Sequence, residues 1–188
     1  MSIIPVTVPT GAIRYNTDSN KMECYNGTKW MQVAVSESTP IGARGLIGGA
    51  SSNGSIINYY TIATAGDAVD FGDLNNNVDF PGSVASRTRG IWGGGRTPTN
   101  LDVIDFVTIS TAGNALDFGD LTAAKQSYGS CSNSTRGTFL GGQTPSYINN
   151  IDMVTIASTG DATDFGDVNI GVTALGAAGS DSHGGLAV

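Results

Sequence analysis

The sequence contains little charge and few residues that favour helices. Asp, Glu, Lys and Arg make up 13% of the 188 residues, against roughly 25% in a typical soluble domain. Lysine occurs only at Lys21, Lys29 and Lys125, and the one histidine is His183. Glycine contributes 27 residues, about twice its ordinary share. Because turn formers are abundant and helix formers scarce, a helical bundle is excluded and a β-rich, loop-rich globular chain is predicted.

Long apolar runs and basic clusters are also missing from the sequence. No stretch reaches 18 apolar residues, so no transmembrane helix and no membrane insertion are predicted. Residues 1–5 lack the basic and apolar segments of a secretory signal. The net charge of −7 opposes binding to the phosphates of nucleic acid, so no nucleic-acid partner is expected.

Residues suited to catalysis or metal binding are few. Glutamate occurs only at Glu23 and Glu37, without a partner at a recognisable spacing, and a single histidine cannot supply a repeated site. Cys24 and Cys131 lie in dissimilar contexts, which favours two free, partly buried thiols over a disulfide or a metal site. We therefore expect no enzymatic activity, no catalytic residue, no cofactor and no bound metal.

What the sequence does contain is a tandem repeat. Three segments align without gaps at a period of 47 residues, and each includes the tetrapeptide Asp-Phe-Gly-Asp. An Arg-Gly pair followed by a Gly-Gly pair precedes each segment, and a partial fourth copy of this marker starts at His183. The three segments are Thr61–Leu74, Thr108–Leu121 and Thr155–Val168, and their markers start at Arg44, Arg89 and Arg136.

Each repeat has the pattern of four short strands. In the second repeat, Arg89–Gly94 is a short apolar run that ends in glycines. Val103–Ser110 is rich in β-branched and aromatic residues with a two-residue alternation, which predicts a strand. After a Gly-Asn turn, Ala115–Phe118 is a third strand, and Gln126–Asn133 is a fourth. Four strands in about 47 residues match the size of one β-propeller blade.

This order of strands and glycine doublets resembles the blades of kelch-type β-propellers. The resemblance covers residues 44–188 and implies three kelch-like, four-stranded repeats, at 44–88, 89–135 and 136–182, with a final strand at 183–188. Kelch blades usually carry a Trp where this chain carries a Phe within Asp-Phe-Gly-Asp. We predict that these three phenylalanines are equivalent buried residues: Phe71, Phe118 and Phe165.

The first 43 residues follow a different pattern. Ala12–Asn16, Lys21–Tyr25 and Lys29–Val35 are predicted strands, and Asn26-Gly27 between the last two is a strong hairpin signal. The predicted fold class is therefore all-β, with an N-terminal β-meander in residues 1–43 followed by the repeats. Because a three-stranded meander alone is marginally stable in water, it is expected to attach to or oligomerise with other chains.

The meander also resembles a short module of tailed-phage fibre and appendage proteins. The residues that carry this resemblance are Gly11–Asp18 and the pattern Glu23-x-Tyr25-Asn26-Gly27-x-x-Trp30. Combined with the repeats, it resembles virion structural proteins of marine phages, including cyanophages. The resemblance implies a non-enzymatic structural protein of the phage particle surface, in a fibre, neck or head-decoration appendage, that presents an exposed β-repeat array and contacts other virion proteins. The alternative is a receptor- or glycan-binding adhesin module on a phage tail, with a host surface glycan or receptor as partner.

The repeated motifs allow more than one interpretation. In Asp-Phe-Gly-Asp, Phe packs between sheets and Asp bonds backbone N–H groups, or the paired carboxylates bind Ca²⁺. The marker arginines bridge to an Asp of an adjacent sheet, remain solvated, or contact a ligand. Four aromatic residues either pack in the core or an interface or form a platform for a sugar: Tyr59, Tyr60, Trp92 and Tyr147.

Three repeats are too few for a closed ring, since propellers usually have about four to eight blades. Each blade has a face that must be covered by a neighbour, so an isolated array of three leaves apolar surface exposed. We therefore predict a homo-oligomer. Resemblance to phage appendages favours a trimer, and a dimer of three-blade halves is the alternative.

Overall fold

The computed structural model of the protein describes residues 8–18, 21–33, 44–49 and 54–171. These residues contain sixteen strands and no helix, so the predicted all-β class is confirmed. Fourteen of the strands lie in four antiparallel sheets of three or four strands, and the other two form a short separate pair. The chain divides into two compact units, Met1–Pro40 and Ile41–Val188. The predicted final strand at 183–188 lies outside the described residues.

The first unit contains the predicted three-stranded meander. Its strands are β1 (Ile13–Asn16), β2 (Lys21–Tyr25) and β3 (Trp30–Gln32), hydrogen-bonded in that order. In the turn before β3, the side-chain oxygen of Asn26 accepts hydrogen bonds from the backbone N–H groups of Thr28 and Lys29. This Asx turn explains why the Asn-Gly signal located the hairpin correctly.

The two faces of the meander differ sharply in polarity. On one face, Arg14 pairs with Glu23 at 2.8 Å and stacks over Trp30 at 4.2 Å. Hydrogen bonds from Asn16 and Arg14 lower the pKa of Glu23. Cross-strand neighbours on the other face are apolar, since Ile13 lies opposite Cys24 and Cys24 opposite Met31. The large apolar side chains exposed on this second face are Ile13, Tyr15, Met22, Met31 and Val33.

The second unit consists of three sheets and a small strand pair. Sheet 1 contains β4 (Arg44–Gly48), β5 (Ile56–Thr61) and β6 (Val69–Asp73). Sheet 2 contains β7 (Gly82–Ala85), β8 (Arg89–Gly93), β9 (Val103–Thr108) and β10 (Leu116–Asp120). Sheet 3 contains β11 (Gly129–Ser132), β12 (Arg136–Leu140), β15 (Asn150–Thr155) and β16 (Thr163–Asp167). The strand pair is β13 (Gln143–Thr144) with β14 (Ser146–Tyr147), in the connection between β12 and β15.

The sheets do not coincide with the sequence repeats. The fourth strand of the first repeat, β7, pairs with β8 of the second, and β11 pairs with β12 in the same way. Tight hairpins cause this pairing. Ser86 Oγ accepts the N–H groups of Thr88 and Arg89, and Asn133 Oδ1 accepts those of Thr135 and Arg136. Each repeat thus supplies the edge strand of the following sheet.

Sheets 1, 2 and 3 pack face to face in chain order. We call the face that packs on the following sheet the front face, and the opposite one the back face. At interface 1–2, the front face of sheet 1 meets the back face of sheet 2, and interface 2–3 repeats this arrangement. Interface 1–2 buries Ile57, Phe71, Leu74, Val78, Trp92, Val107 and Ala115. Interface 2–3 buries Val84, Ile91, Ile104, Phe106, Phe118, Leu121, Tyr128, Phe139, Val154, Ile156 and Ala162.

Glycines on the front faces allow large aromatic rings to approach. A Cβ atom at Gly48 would lie 3.3 Å from the ring of Trp92, and one at Gly93 would lie 3.2 Å from the ring of Phe139. Both contacts are tighter than ordinary van der Waals separation, so a larger residue would require the facing ring to shift. The glycine doublets of the sequence markers therefore serve close packing between sheets.

The prediction of three equivalent buried phenylalanines is wrong for the third. Phe71 and Phe118 are 2% and 3% exposed, whereas Phe165 is 55% exposed. All three stand on front faces, in strands of the same register. Phe71 is covered by sheet 2 and Phe118 by sheet 3, but no described sheet follows sheet 3. Burial at this position thus depends on the neighbouring sheet.

Candidate functional site

A groove lies beside the edge strands of the sheets. Its volume is 410 Å³, and its lining comes from β4, β7, β8, β11 and Ile109. Its walls mix apolar side chains, such as Leu46 and Ile91, with the polar Arg44, Ser83 and Ser130. In sheets 2 and 3 the strands β8 and β12 are covered on this side by β7 and β11, whereas β4 has no such partner among the described strands. Within the described residues, the groove is therefore the place where a fourth strand of sheet 1 would lie, and an extended segment would fit beside β4.

Serine hydroxyls satisfy the free edge of β7. Ser130 Oγ accepts the N–H of Ser83 at 3.1 Å and donates to its carbonyl at 2.7 Å. Ser132 makes the same pair of bonds with Ala85, at 3.3 and 2.9 Å. An unpaired strand edge invites association with another chain, so these contacts protect β7.

Replacing both serines, Ser130→Ala with Ser132→Ala, should destabilise the protein by about 1–3 kcal/mol, because the β7 edge groups lose their partners. Urea unfolding followed by circular dichroism gives the free energy of unfolding. Ser83→Ala is the matched control, since Ser83 occupies the equivalent position in β7 and makes no side-chain hydrogen bond among the described residues. Equal losses in the control and the double variant would contradict the proposed edge protection.

Two marker arginines, Arg44 and Arg89, bridge adjacent sheets through carbonyl groups, so for these two the interpretation as a bridge to an Asp is wrong. Arg44 stacks over Tyr59 at 4.7 Å and donates to the carbonyl of Ile109 at 2.8 Å. Arg89 repeats this arrangement with Phe106 at 4.7 Å and the carbonyl of Ile156 at 2.9 Å. Each guanidinium thus joins its own sheet to the next one. Arg136 is exposed on sheet 3.

The Asp-Phe-Gly-Asp segments form the last strand of each sheet. The Gly in each has positive φ and lies where the pairing register shifts, so it forms a bulge within the strand. Partial desolvation raises the pKa of Asp120, and the neighbouring carboxylates of Asp102, Asp161 and Asp117 add to the increase. Within the part of the chain that the structure describes, no group of three or more Asp, Glu, His or Cys side chains is placed to hold a metal ion.

A buried polar cluster at interface 2–3 was not predicted from the sequence. The side chains of Lys125 and Asp152 are fully buried, with Nζ 3.0 Å from Oδ2. Lys125 also donates to the carbonyl of Phe139 at 3.2 Å, and its ammonium lies 5.1 Å from the ring of Tyr128. Burial lowers the pKa of Lys125 while the Asp152 carboxylate opposes that change, and burial raises the pKa of Tyr128. The 47-residue alignment contains a signal for this cluster, since Lys125 corresponds to the buried Val78.

Interface 1–2 holds the equivalent carboxylate without a lysine. Asp105 is buried and accepts hydrogen bonds from the backbone N–H and the side-chain amide of Asn75, at 3.0 and 2.6 Å. Burial raises the pKa of Asp105, and these two bonds oppose the increase. A raised pKa means that the folded protein retains this proton to higher pH than the unfolded chain does.

Asp105→Asn should therefore change the pH dependence of stability. In the parent protein, Asp105 lowers the free energy of unfolding as pH rises from its usual pKa of about 3.9 through the raised value. The variant, which has the residue found at the equivalent Asn58, should lack this decrease. Urea unfolding at several values between about pH 4 and 7 measures the difference. A constant difference between the two proteins across this range would contradict the argument.

The predicted aromatic residues do not form one platform. Trp92 is buried at interface 1–2, and Tyr59 is half-buried with its ring edge on Phe71 at 6.0 Å, so packing is confirmed for these two. Tyr60 and Tyr147 are exposed, one on the back face of sheet 1 and the other on β14. Cys24 and Cys131 are both free and half-buried, as predicted.

No family model matches this chain, and a search of curated proteins finds no significant match. Among the described residues, no helix has the length and apolar character needed to cross a membrane.

Proposed function

We propose that this protein is a non-enzymatic structural component of a tailed-phage particle. In this proposal the kelch-like β-repeats form an exposed array on the virion surface, and the meander attaches the array or brings copies of it together. Its partners are other copies of the chain and other virion proteins. One observation carries the proposal: the repeated residues are used in contacts between sheets.

Two repeated residue types, and one further contact between β11 and β7, support this interpretation. Two of the three marker arginines, Arg44 and Arg89, join one sheet to the next, and the motif phenylalanines are buried where a following sheet covers them. The serines of β11 bond the backbone of β7 across 47 residues. A residue that recurs because it holds neighbouring sheets together indicates an architectural role, which is what a particle component requires.

The meander supports the attachment part of the proposal. Its second face exposes Ile13, Tyr15, Met22, Met31 and Val33, a continuous apolar surface on a small sheet. Exposed apolar surface of this kind marks interaction sites in soluble proteins. The residues that resemble the phage module form the same three strands.

Particle labelling tests the proposal directly. Antibodies against the purified full chain should decorate intact tailed particles in electron micrographs, at regular positions. The chain should also be present in purified particles in a fixed ratio to the main structural proteins. Detection in the lysate of infected cells, with none in density-purified particles, would overturn the proposal.

A receptor- or glycan-binding adhesin is the second candidate, and the connecting loops favour it. Phe80 is exposed with a positive φ of 54°, and the Arg96 guanidinium lies 5.7 Å from its ring. Tyr147 is exposed on β14, within the segment that connects β12 to β15. Binding of the full chain to a glycan array or to host cells, abolished by Phe80→Ala or Tyr147→Ala, would support this candidate. Unchanged binding in both variants would remove the loops as its basis.

A further inference from the structure

Each end of the three-sheet array exposes a sheet face whose equivalents in the other two sheets are buried at interfaces 1–2 and 2–3. At the back faces, Trp92 and Phe139 are buried, whereas the corresponding Ile47 of sheet 1 is exposed. Ile109 and Ile156 are buried, whereas the corresponding Ile62 is 62% exposed. At the front faces the same contrast distinguishes Phe165 from its two counterparts. Among the described residues, the array thus ends in one exposed back face, on sheet 1, and one exposed front face, on sheet 3.

The last strand of sheet 3 also carries two backbone carbonyl groups whose equivalents in sheets 1 and 2 accept hydrogen bonds from the following sheet. Gly113 N–H donates to the carbonyl of Phe71, and Gly160 N–H donates to that of Phe118, both at 2.7 Å. Ala115 bonds Asp73 and Ala162 bonds Asp120 in the same register, also at 2.7 Å. By the same 47-residue spacing, the equivalent donors are Gly66 and Ala68, just before β6. The equivalent acceptors are Phe165 and Asp167 in β16.

The space next to these groups is filled at the internal interfaces and open at the end. A Cβ atom on Gly72 would lie 2.4 Å from the backbone of Gly113, and one on Gly119 would lie 2.5 Å from that of Gly160. A Cβ atom on the equivalent Gly166 would meet nothing within 4 Å. Sheet 3 therefore has open space beside Gly166. A turn like the one around Gly66, the equivalent of Gly113 and Gly160, would fit there.

We infer that a second copy of this chain occupies this space. The back face of sheet 1 in one copy packs on the front face of sheet 3 in the other. This contact between two molecules has the same arrangement of faces as interfaces 1–2 and 2–3 within one molecule. It specifies the self-association named in the proposed function but does not depend on residence in a particle. Arg136 then reaches the carbonyl of Ile62 in the other copy, as Arg44 reaches Ile109 and Arg89 reaches Ile156.

Side-chain volumes at the two ends are matched in the way that this contact requires. Internally, a glycine of the front face receives a large ring: Gly48 receives Trp92, and Gly93 receives Phe139. At the ends the glycine position is occupied by Leu140, and the ring position by the smaller Ile47. A Leu–Ile pair therefore replaces Gly–Trp and Gly–Phe, and the enlargement of one face accompanies the reduction of the other. Changes of opposite sign at two facing positions disturb a packed interface less than an increase at both positions.

Polar groups at the ends are compatible with the same contact. The buried carboxylates Asp105 and Asp152 correspond to Asn58 on sheet 1. Their partners Asn75 and Thr122 correspond to Asn169 after sheet 3. An Asn58–Asn169 pair forms a hydrogen bond between copies without burying a charge, which avoids the cost of an unpaired ion.

The contact joins different faces of two copies, so it is heterologous, and it either closes a ring or continues into a fibre. Two copies bring six sheets, within the range of about four to eight found in propellers. Three copies would bring nine, which lies outside that range. We therefore expect a closed dimer in place of the trimer that the phage resemblance favours.

Sedimentation equilibrium of the full chain at micromolar concentration tests the inference. The parent protein should be a dimer, and Phe165→Asp and Ile62→Asp should each be monomeric with unchanged circular dichroism. A 1:1 mixture of the two variants should regain association, because each retains the face that the other has lost. Leu116→Asp is the control and should stay dimeric, since Leu116 is 63% exposed at a position that is exposed in all three sheets.

Three outcomes would overturn the inference. A monomeric parent protein across the micromolar range would do so, as would a dimer that neither Asp variant dissociates. If Phe165→Asp alone dissociates the dimer and mixing restores nothing, the contact joins like faces instead. Particle labelling can still succeed in each of these cases, so failure of the inference is distinguishable from failure of the proposed function.

Discussion

Phe118→Ala should lower the free energy of unfolding by about 3–5 kcal/mol, the usual cost of truncating a fully buried phenylalanine. The Phe118 ring is 3% exposed at interface 2–3 and lies edge-on to Phe106 with a centroid separation of 5.8 Å. Truncation removes that contact and leaves a cavity between two sheets that are held apart by other side chains.

The same substitution in the third repeat provides the control. Phe165→Ala changes an identical tetrapeptide in an identical strand position, but the side chain is mostly exposed. Its effect should stay within about 0.5 kcal/mol when unfolding is measured at a protein concentration low enough for the parent to be monomeric. Equal losses in the two variants would show that the covering sheet does not determine the stability contribution of this position.

Lys125→Val should be comparably destabilising, by about 3–5 kcal/mol, because it leaves the buried carboxylate of Asp152 without its cation. The variant introduces the residue found at the equivalent Val78, so its side chain is one that a corresponding interface already accommodates. Urea unfolding at neutral pH measures the loss.

A second substitution separates the missing charge from a packing defect. Thr122→Asn, added to Lys125→Val, gives interface 2–3 the Asn–Val combination of interface 1–2, where Asn75 donates two hydrogen bonds to Asp105. The double variant should recover part of the lost stability. If the single variant is as stable as the parent protein, the buried ion pair contributes nothing net.

Much of the fold could be predicted from the sequence. In the repeats the same strand pattern recurs three times, and in the meander the turn residues mark the strand ends. The strand predicted at Lys21–Tyr25 has those bounds in the structure, and the one predicted at Val103–Ser110 ends two residues early, at Thr108. Alternation and turn residues are local signals, and they were sufficient to locate strands. They did not reveal that β7 and β11 belong to the following sheet, because periodicity gives the strands of a repeat but not their partners.

The parts of the site that could not be predicted depend on contacts between repeats. The sequence shows that Phe165 and Phe118 are equivalent, but only the stacking order shows that one of them has no covering sheet. An arginine with acidic residues nearby suggests an ion pair, whereas the extended geometry of Arg44 brings it to a carbonyl oxygen. The Lys125–Asp152 pair involves two different repeats, so neither repeat alone indicates it.

The stagger between repeats and sheets has a consequence for folding cooperativity. Each of the edge strands β7 and β11 is continuous with one repeat and hydrogen-bonded to the next. When a repeat unfolds, it withdraws a strand from the sheet that follows it, so the cost of local opening is shared by two sheets. In a simple linear array the coupling between neighbours comes from packed interfaces alone. Here backbone hydrogen bonds add to it, and amide protons of adjacent sheets are expected to exchange with solvent in common opening events.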